Sequence, residues 1–482
     1  MPNLSLKNST SSETISAIFI IAFVSLFILA NFMIGFVWPL YILAMAIGFI
    51  LSLKFPKSGV FAIVFLTMIF ERFFSLQTFV INKIEYKLYP LDILMLGIIL
   101  SIILQIIFSK QKIKFKKTDW ALVVFILLNF IYYFLSIFIF KSDQSLAFST
   151  LKNYAFYGLF YFIIAFLIRG KEDLRKLFQF FLAGATAIIV FIAIGIIRGE
   201  GLWTEFTPLS TSGTRILAFP HAFFLAMAIL GVLTYLIFQR GIYKKTFFVL
   251  MLVWAVGVTG SMMRHLWISL GIAIASLYFI IPKSERKKFR GILGKYATLF
   301  LVGLVLFFYL SIMLPNSEIN KIGSSVSDVI SQRVGSLSNV SEDESFAWRS
   351  AVWKEAIVEF GQNSILGIGS GQKLYVEIGA YRDLVEVRNI HNSPLIILVQ
   401  LGLLTFASFV FLIIITAKNL LKKTDKNWID FLLLALLANY TIAFFFQPYL
   451  EANHMAIWFW IILGLMRVSA DKNFLKNDEK FQ

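Results

Sequence analysis

Apolar segments of about 20 residues recur along nearly the whole chain, and this repetition constrains the fold more than any other feature. A helix of about 20 residues crosses a hydrocarbon core about 30 Å thick. Because lipid offers no hydrogen-bond partner to the backbone, each crossing segment must be helical. Of the 482 residues, 59% are hydrophobic and 15% are charged, whereas a soluble domain carries about 25% charged residues. The sequence therefore predicts an all-α, polytopic membrane protein.

About 14 segments (12–14) have the length and composition of transmembrane helices, so residues 1–482 are predicted to form a single transmembrane domain. The lower numbers apply if the pair before Ser52 is one re-entrant element, or if the short last segment does not cross. The sequence shows no internal repeat and no interrupted helix. The predicted spans are 15–34, 36–53, 58–75, 90–109, 119–140, 150–168, 177–197, 216–238, 246–261, 265–281, 297–314, 393–416, 429–447 and 455–468.

The distribution of Lys and Arg predicts the orientation of these spans, because basic clusters are retained in cytoplasmic loops. With the N-terminus in the cytoplasm, every short loop that carries a basic cluster falls on the cytoplasmic side. An even number of spans then places both termini in the cytoplasm. The net charge of +17 reflects this topology and not nucleic-acid binding.

One connection differs from the others in length, since residues 315–392 are mostly polar and the topology places them on the outer side. Long ordered loops on a compact scaffold are usually functional. Within this long extracytoplasmic loop, residues 342–360 are predicted to form an amphipathic helix on the membrane surface, which the glycines from 361 to 371 would end. Its apolar positions at helical spacing are Phe346, Trp353, Ile357 and Phe360.

Three arginines are predicted to lie on the outer face, where charge near membrane depth is costly and tends to mark function. Arg215 ends the loop before a span, Arg264 lies in a short turn between two spans, and Arg349 lies on the predicted surface helix. A guanidinium stays ionised and binds phosphate through two parallel hydrogen bonds, so these residues suit a pyrophosphate. The alternative is that they anchor the spans at the head groups.

His391 lies where the long loop returns to the membrane, within the sequence RNIHNSP at 388–394. An imidazole with an ordinary pKa of about 6.5 accepts a proton near neutral pH. The neighbouring Asn392 can orient a substrate or the loop. The alternative is an ordinary interfacial histidine. His221, which follows Pro220 at the start of a span, can be structural.

Metal and cofactor chemistry is not indicated by the sequence. The chain has no cysteine, and its four histidines lack the spacing of a zinc motif. It also lacks the glycine fingerprints that bind nucleotides. We therefore predict no metal, no cofactor and no nucleic-acid partner.

The second half of the chain resembles the O-antigen ligase/polymerase superfamily over about residues 200–416. The most specific likeness lies in 388–403, where His391 and Asn392 precede an apolar helix that reaches Gln400-Leu401-Gly402. Other segments similar to family motifs are 213–221, 259–264 and 348–369, each of which contains one of the three arginines.

The resemblance implies a helical fold like that of membrane glycosyltransferases and a metal-independent transfer of glycan from undecaprenyl pyrophosphate to a hydroxyl. Arg215 and Arg264 would neutralise the pyrophosphate leaving group, and His391 would take the proton of the attacking hydroxyl. Arg349 would position the donor or the surface helix. The residues implied to line the substrate site are Arg349, Trp353, Arg388, Asn392 and His221.

The resemblance also implies the partners and the location. The protein would act on the outer (periplasmic) face of a bacterial cytoplasmic membrane. Its partners would be an undecaprenyl-pyrophosphate-linked glycan donor, a glycan or lipid acceptor, the lipid bilayer and a chain-length regulator.

Three functions stay open at this point. A polymerase would join repeat units of O-antigen, capsule or exopolysaccharide, and two extra N-terminal spans favour it. A ligase would move finished glycan onto lipid A core or another acceptor. A transporter or flippase for a lipid-linked sugar is disfavoured, because the sequence shows neither internal repeats nor broken helices.

Overall fold

The computed structural model describes a nearly all-helical protein with two short β-hairpins in the described part of the chain. Arg215 lies outside the described residues, as does most of 318–343. The described residues are 3–70, 79–81, 84–86, 89–109, 114–198, 217–239, 244–317, 320, 323–324, 327, 344–378 and 381–471.

Each of the predicted spans overlaps helical structure. The helices are α1 (Asn3–Ile34), α2 (Trp38–Lys54), α3 (Pro56–Ile69), α4 (Pro90–Ser109), α5 (Lys117–Phe138), α6 (Gln144–Leu151), α7 (Leu159–Leu167), α8 (Lys171–Arg198), α9 (Phe219–Phe238), α10 (Lys244–Gly260), α11 (Arg264–Ile280), α12 (Lys283–Met313), α13 (Glu344–Gln362), α14 (Ser393–Leu421), α15 (Trp428–Ala443) and α16 (Asn453–Ser469). The antiparallel hairpins are β1 (Phe79–Ile81) with β2 (Ile84–Tyr86), and β3 (Lys373–Ile378) with β4 (Tyr381–Glu386).

Seven of the described helical segments are long and apolar enough to cross a membrane by themselves. Shorter apolar helices, such as α2 and α11, have 17 residues each. The protein is therefore a multi-pass membrane protein, while the number of 14 crossings stays a prediction. The seven segments are Ser12–Asn31, Pro90–Phe108, Lys117–Phe138, Gln144–Leu167, Phe219–Phe238, Lys283–Met313 and Ser393–Leu421.

Burial separates the central helices from those that face lipid. In α9, 89% of the most apolar stretch is buried inside the protein, whereas in α12 the corresponding share is 6%. Apolar side chains of α12 stay exposed, including Val305 at 67% and Ile312 at 70%. Exposed side chains of this kind are stable only in contact with lipid tails, because in water they would form a large apolar patch.

Side-chain contacts between helix ends define two opposite ends of the bundle. The starts of α3, α5, α8 and α15 lie at one end, which we call the basic end. Ion pairs there join α3 to α8, α5 to the end of α16, and α15 to the end of α14. Its ion pairs are Lys57–Asp173 at 2.7 Å, Arg467–Asp119 at 3.0 Å and Lys423–Asp430 at 2.8 Å. The starts of α4, α9, α11, α14 and α16 lie at the other end, which we call the site end. This alternation is the one that the predicted topology requires, and the side of the membrane that each end faces stays a prediction.

Residues 344–378 and 381–392 form a folded segment at the site end, which we call the cap. Its helix α13 agrees with the helix predicted over 342–360, and it packs against the β3–β4 hairpin and the start of α14. Of its predicted apolar positions, Trp353 and Phe360 pack against the cap core, while Ile357 is 58% exposed, so contact of this helix with the membrane surface stays a prediction. The buried residues of the cap core are Val352, Ala356, Leu374, Val376, Val385, Val387 and Ile390, joined by Ile396 and Val399 of α14.

The helix α14 is broken at Gly402, where φ is +70° and ψ is 178°. The glycine-containing segment 364–369 fills the break. The N–H groups of Ile368 and Gly369 donate to the carbonyls of Val399 and Gln400 at 2.9 and 3.1 Å, and the N–H of Leu403 donates to the carbonyl of Ser364 at 3.0 Å. The prediction of uninterrupted spans is therefore wrong for α14. Irregular backbone at membrane depth is stable only where its polar groups are satisfied within the protein, as they are here.

Replacing Gly402 by alanine should destabilise the protein by about 2–4 kcal/mol, because a Cβ at this positive φ would overlap the carbonyl of Ile365. The midpoint of thermal unfolding in detergent measures this effect. The matched control is Gly303→Ala on lipid-facing α12, where a Cβ would meet nothing within 4 Å. An equal midpoint for both variants would contradict the interlock between α14 and segment 364–369.

Candidate functional site

His391 is held at the site end in an unusual backbone conformation, with φ at +59°. Positive φ is uncommon for a residue with a side chain, so neighbouring contacts must maintain it. Nδ1 of His391 lies 2.7 Å from Oε1 of Gln447, and the ring meets the Trp348 ring edge-on at 5.6 Å. The indole N–H of Trp353 donates to the carbonyl of Ile390 at 2.7 Å. Both tryptophans belong to α13, so the cap contacts the imidazole through Trp348 and the preceding residue, Ile390, through Trp353.

The surroundings of His391 favour its neutral form. Burial lowers the pKa of the imidazole below its ordinary 6.5, and the positive charge of Arg349 lowers it further, while the bond to Gln447 acts in the opposite direction. An amide oxygen only accepts hydrogen bonds, so Nδ1 carries the proton and Nε2 keeps its lone pair. His391 is thus set up to accept a proton at Nε2 at neutral pH.

Asn392 and Ser393 connect His391 to the start of α14. The side-chain oxygen of Asn392 caps the helix by accepting from the N–H of Leu395 at 3.1 Å. The N–H of Ser393 donates to the carbonyl of Phe444 at 2.9 Å. The sequence RNIHNSP therefore forms a helix start that is docked on the segment joining α15 to α16, residues 444–452, which we call the α15–α16 loop.

The α15–α16 loop carries a carboxyl group in a largely apolar setting. The Ser393 hydroxyl donates to Oε2 of Glu451 at 2.6 Å, and the hydroxyl of Tyr154 donates to Oε1. The side-chain amide of Asn153 donates to the backbone carbonyl of Glu451 at 2.6 Å. Burial raises the pKa of Glu451 to about 7, against the effect of the two hydroxyl donors. Glu451 thus fastens the loop that presents Gln447 to His391.

The same loop reaches the turn that contains Arg264. Nε2 of His265 lies 3.2 Å from the hydroxyl of Tyr449, whose ring is fully buried. Arg264 is the first residue of α11 and is partly buried. Met262, with φ at +54°, turns the chain from α10 into α11. The first N–H groups of a helix and a guanidinium both attract anions, so this turn is suited to phosphate.

A largely buried ion pair joins Lys152 to Asp92 near the start of α4. Lys152 Nζ is 2.5 Å from Asp92 Oδ2 and 4.1 Å from the centre of the Tyr89 ring. Lys152 opens a π-helical stretch, Lys152–Phe156, that also contains Asn153 and Tyr154. The wider turn directs all three side chains to the site end, at the junction of α6 and α7.

The structure distributes the remaining predicted residues as follows. Arg388 contacts Glu386 at 2.7 Å and Ser149 at 3.1 Å, which ties the cap to α6. His221 is 2% exposed, and its Nε2 lies 3.0 Å from the carbonyl of Ile69 at the end of α3. His221 therefore contacts the end of α3 within the helix bundle. Its role in substrate binding stays a prediction.

Sequence reasoning did not identify the α15–α16 loop, because residues through 447 were assigned to a span. The loop links the two sequence motifs, with Gln447 on His391 and Tyr449 on His265. A signal was present in the polar residues Gln447, Glu451 and Asn453 close together between two apolar segments.

These features define a helical membrane protein. At its site end, the α15–α16 loop connects the imidazole of His391 with the turn that contains Arg264. Residues 246–410 match the family model described as O-Antigen ligase. The match confirms the resemblance to the O-antigen ligase/polymerase superfamily and indicates a glycan-transferring membrane enzyme. It spans Arg264, Arg349, Arg388 and His391, but neither His221 nor the α15–α16 loop. No curated protein matches the chain.

The carboxyl of Glu451 should make stability depend on pH. Its pKa in the fold, about 7, lies above the ordinary 4.5, so its contribution is complete below pH 4.5 and is lost as pH rises through 7. The side chain of the Glu451→Gln variant stays neutral at all pH values. Between pH 5 and pH 8, the unfolding temperature of the wild type should therefore fall relative to that of this variant. The exposed Glu172→Gln is the control. Parallel profiles for wild type and Glu451→Gln would contradict the assignment.

Proposed function

We propose that the protein transfers a glycan from undecaprenyl pyrophosphate to a hydroxyl group, at the outer face of a bacterial cytoplasmic membrane. The observation that supports this most is the position of His391 between the cap and the start of α14, with its Nδ1 2.7 Å from Oε1 of Gln447. The family match of residues 246–410 supplies the reaction class. We propose polymerisation of repeat units into O-antigen, capsule or exopolysaccharide as the first candidate activity.

The proposed reaction forms one bond and breaks one. The acceptor hydroxyl attacks the anomeric carbon of the donor while its proton passes to Nε2 of His391. The bond between that carbon and the phosphate oxygen breaks, and undecaprenyl pyrophosphate leaves with the electron pair. The site must therefore hold a proton on one side and added negative charge on the other.

The leaving pyrophosphate is proposed to bind at the start of α11. Arg264 and the first N–H groups of α11 supply positive charge there. Arg349, whose charge reaches His391, lies on the cap above. Arg215 is proposed to complete this cationic group. We propose that these cations act without a metal ion.

A ligase is the second candidate, because the matching family model is described as O-Antigen ligase. It would use the same donor and the same residues, with lipid A core or another molecule as acceptor. A transporter for a lipid-linked sugar is less favoured. The break in α14 removes one argument against a transporter, but the family match and the proton-accepting His391 favour an enzyme.

The first test uses purified protein, a synthetic undecaprenyl-pyrophosphate-linked repeat unit, and no metal or nucleotide. A polymerase should give a ladder of lengthened glycans by mass spectrometry. His391→Ala should lower the rate by about 10²–10⁴-fold, as expected for loss of a general base, while Lys354→Ala on the exposed face of α13 should not. Transfer only to an added lipid A core would make the protein a ligase. Undiminished transfer by His391→Ala would remove the proposed base.

Gln447 should control the pH dependence of transfer. In wild type the rate should fall only below pH 6.5, because the pKa of His391 is lowered. Gln447→Glu places a negative charge beside Nδ1 and should raise the pKa of His391. The acidic limb of the pH–rate profile should therefore move to higher pH by about one unit or more. Gln362→Glu, at the exposed end of α13, is the matched control. An unshifted limb in the Gln447 variant, with transfer intact, would contradict the pairing of Gln447 with His391.

A further inference from the structure

A groove of about 680 Å³ lies between α10 and α12, far from the site end. Three lysines line it, namely Lys244 and Lys245 at the start of α10 and Lys295 on α12. Phe248, Val249 and Leu299 form its apolar part. The two helices are joined beyond the groove, where the hydroxyl of Tyr296 donates to the carbonyl of Met251 at 2.6 Å. Val249 and Leu299 are 57% and 50% exposed, so the apolar part of the groove is open to the surroundings of the protein.

The groove lies where the charged part of each helix ends. Lys245 is the last charged residue of α10, and Lys295 is the last charged residue of α12. Beyond these positions, both helices continue with uncharged and largely apolar residues. A boundary between lysine ammonium groups and apolar helix surface is typical of the head-group depth of a bilayer.

Within the part of the chain that the structure describes, no carboxylate balances the charges of the groove. The described residues that line the groove include no Asp or Glu. Among the described residues, no carboxylate forms an ion pair with Lys244, Lys245 or Lys295. All three lysines are exposed. A ligand that complements this surface must be anionic at one end and apolar at the other.

We propose that this groove binds an anionic phospholipid of the surrounding bilayer. The phosphate lies among Lys244, Lys245 and Lys295, and an acyl chain lies along Phe248, Val249 and Leu299. A zwitterionic phospholipid carries its own positive charge and complements the three lysines less well. This site does not depend on the proposed glycan transfer, and it uses none of the residues assigned to it.

Native mass spectrometry of the purified full-length protein tests the site with phosphatidylglycerol and with phosphatidylcholine of the same acyl chains. Lys244→Ala, Lys245→Ala and Lys295→Ala together should weaken phosphatidylglycerol binding by about 10- to 100-fold, because each lysine near a bilayer surface attracts an anionic lipid. The matched control replaces three exposed lysines elsewhere at the basic end, Lys171, Lys418 and Lys422, by alanine. Its affinity should match wild type.

A second variant separates a defined groove from diffuse attraction. Val249→Trp fills the groove but leaves the lysines, so it should also weaken phosphatidylglycerol binding. Equal weakening of phosphatidylglycerol binding in the triple variant of Lys244, Lys245 and Lys295 and in its control would overturn the site. Undiminished binding by Val249→Trp would overturn it as well. Equal affinity for both lipids would overturn the role of charge. Tight binding of glycerol 3-phosphate alone would indicate a soluble phosphate ligand instead of a lipid.

Discussion

The structure depends on one constraint, which is that every backbone N–H and C=O group inside lipid must find a partner within the protein. Most of the chain meets it with helices. The one described helix whose dihedral angles depart from helical values in its interior, α14 at Gly402, meets it through segment 364–369. That segment belongs to the cap, so the cap is fixed to the bundle by main-chain hydrogen bonds as well as by its apolar core. The position of His391, between cap and α14, follows from this attachment.

The candidate site is assembled from parts of the chain that are distant in sequence. The cap supplies Trp348 and Arg349, the α15–α16 loop supplies Gln447 and Glu451, and the junction of α6 and α7 supplies Tyr154. Each part contributes a contact that no single motif could provide. The family-model match ends at residue 410, so the contacts that orient His391 come partly from outside the matched region.

The sequence was sufficient to predict the helices, because apolar length alone specifies a span in lipid. It also located His391 where the long loop meets α14, since Pro394 suits the first turn of a helix. The helix over 342–360 was predicted from apolar residues at helical spacing. The β3–β4 hairpin was not predicted, because its buried residues Leu374 and Val376 alternate over too few positions. Nor were Gln447 and Glu451, because their importance lies in contacts with residues far away in sequence.

The break in α14 also bears on the order in which native contacts can form during synthesis. Segment 364–369 leaves the ribosome before Gly402 does. Tyr132 and Ser136 of α5, which contact Ile365 and the adjoining Ser370, are made earlier still. The native partners of residues 399–403 are backbone groups of segment 364–369. The broken form of α14 without that segment would leave these groups unsatisfied in lipid, at a cost of several kcal/mol for each group. We therefore expect the broken form of α14, and with it the native position of His391, to form only when the cap lies against the bundle.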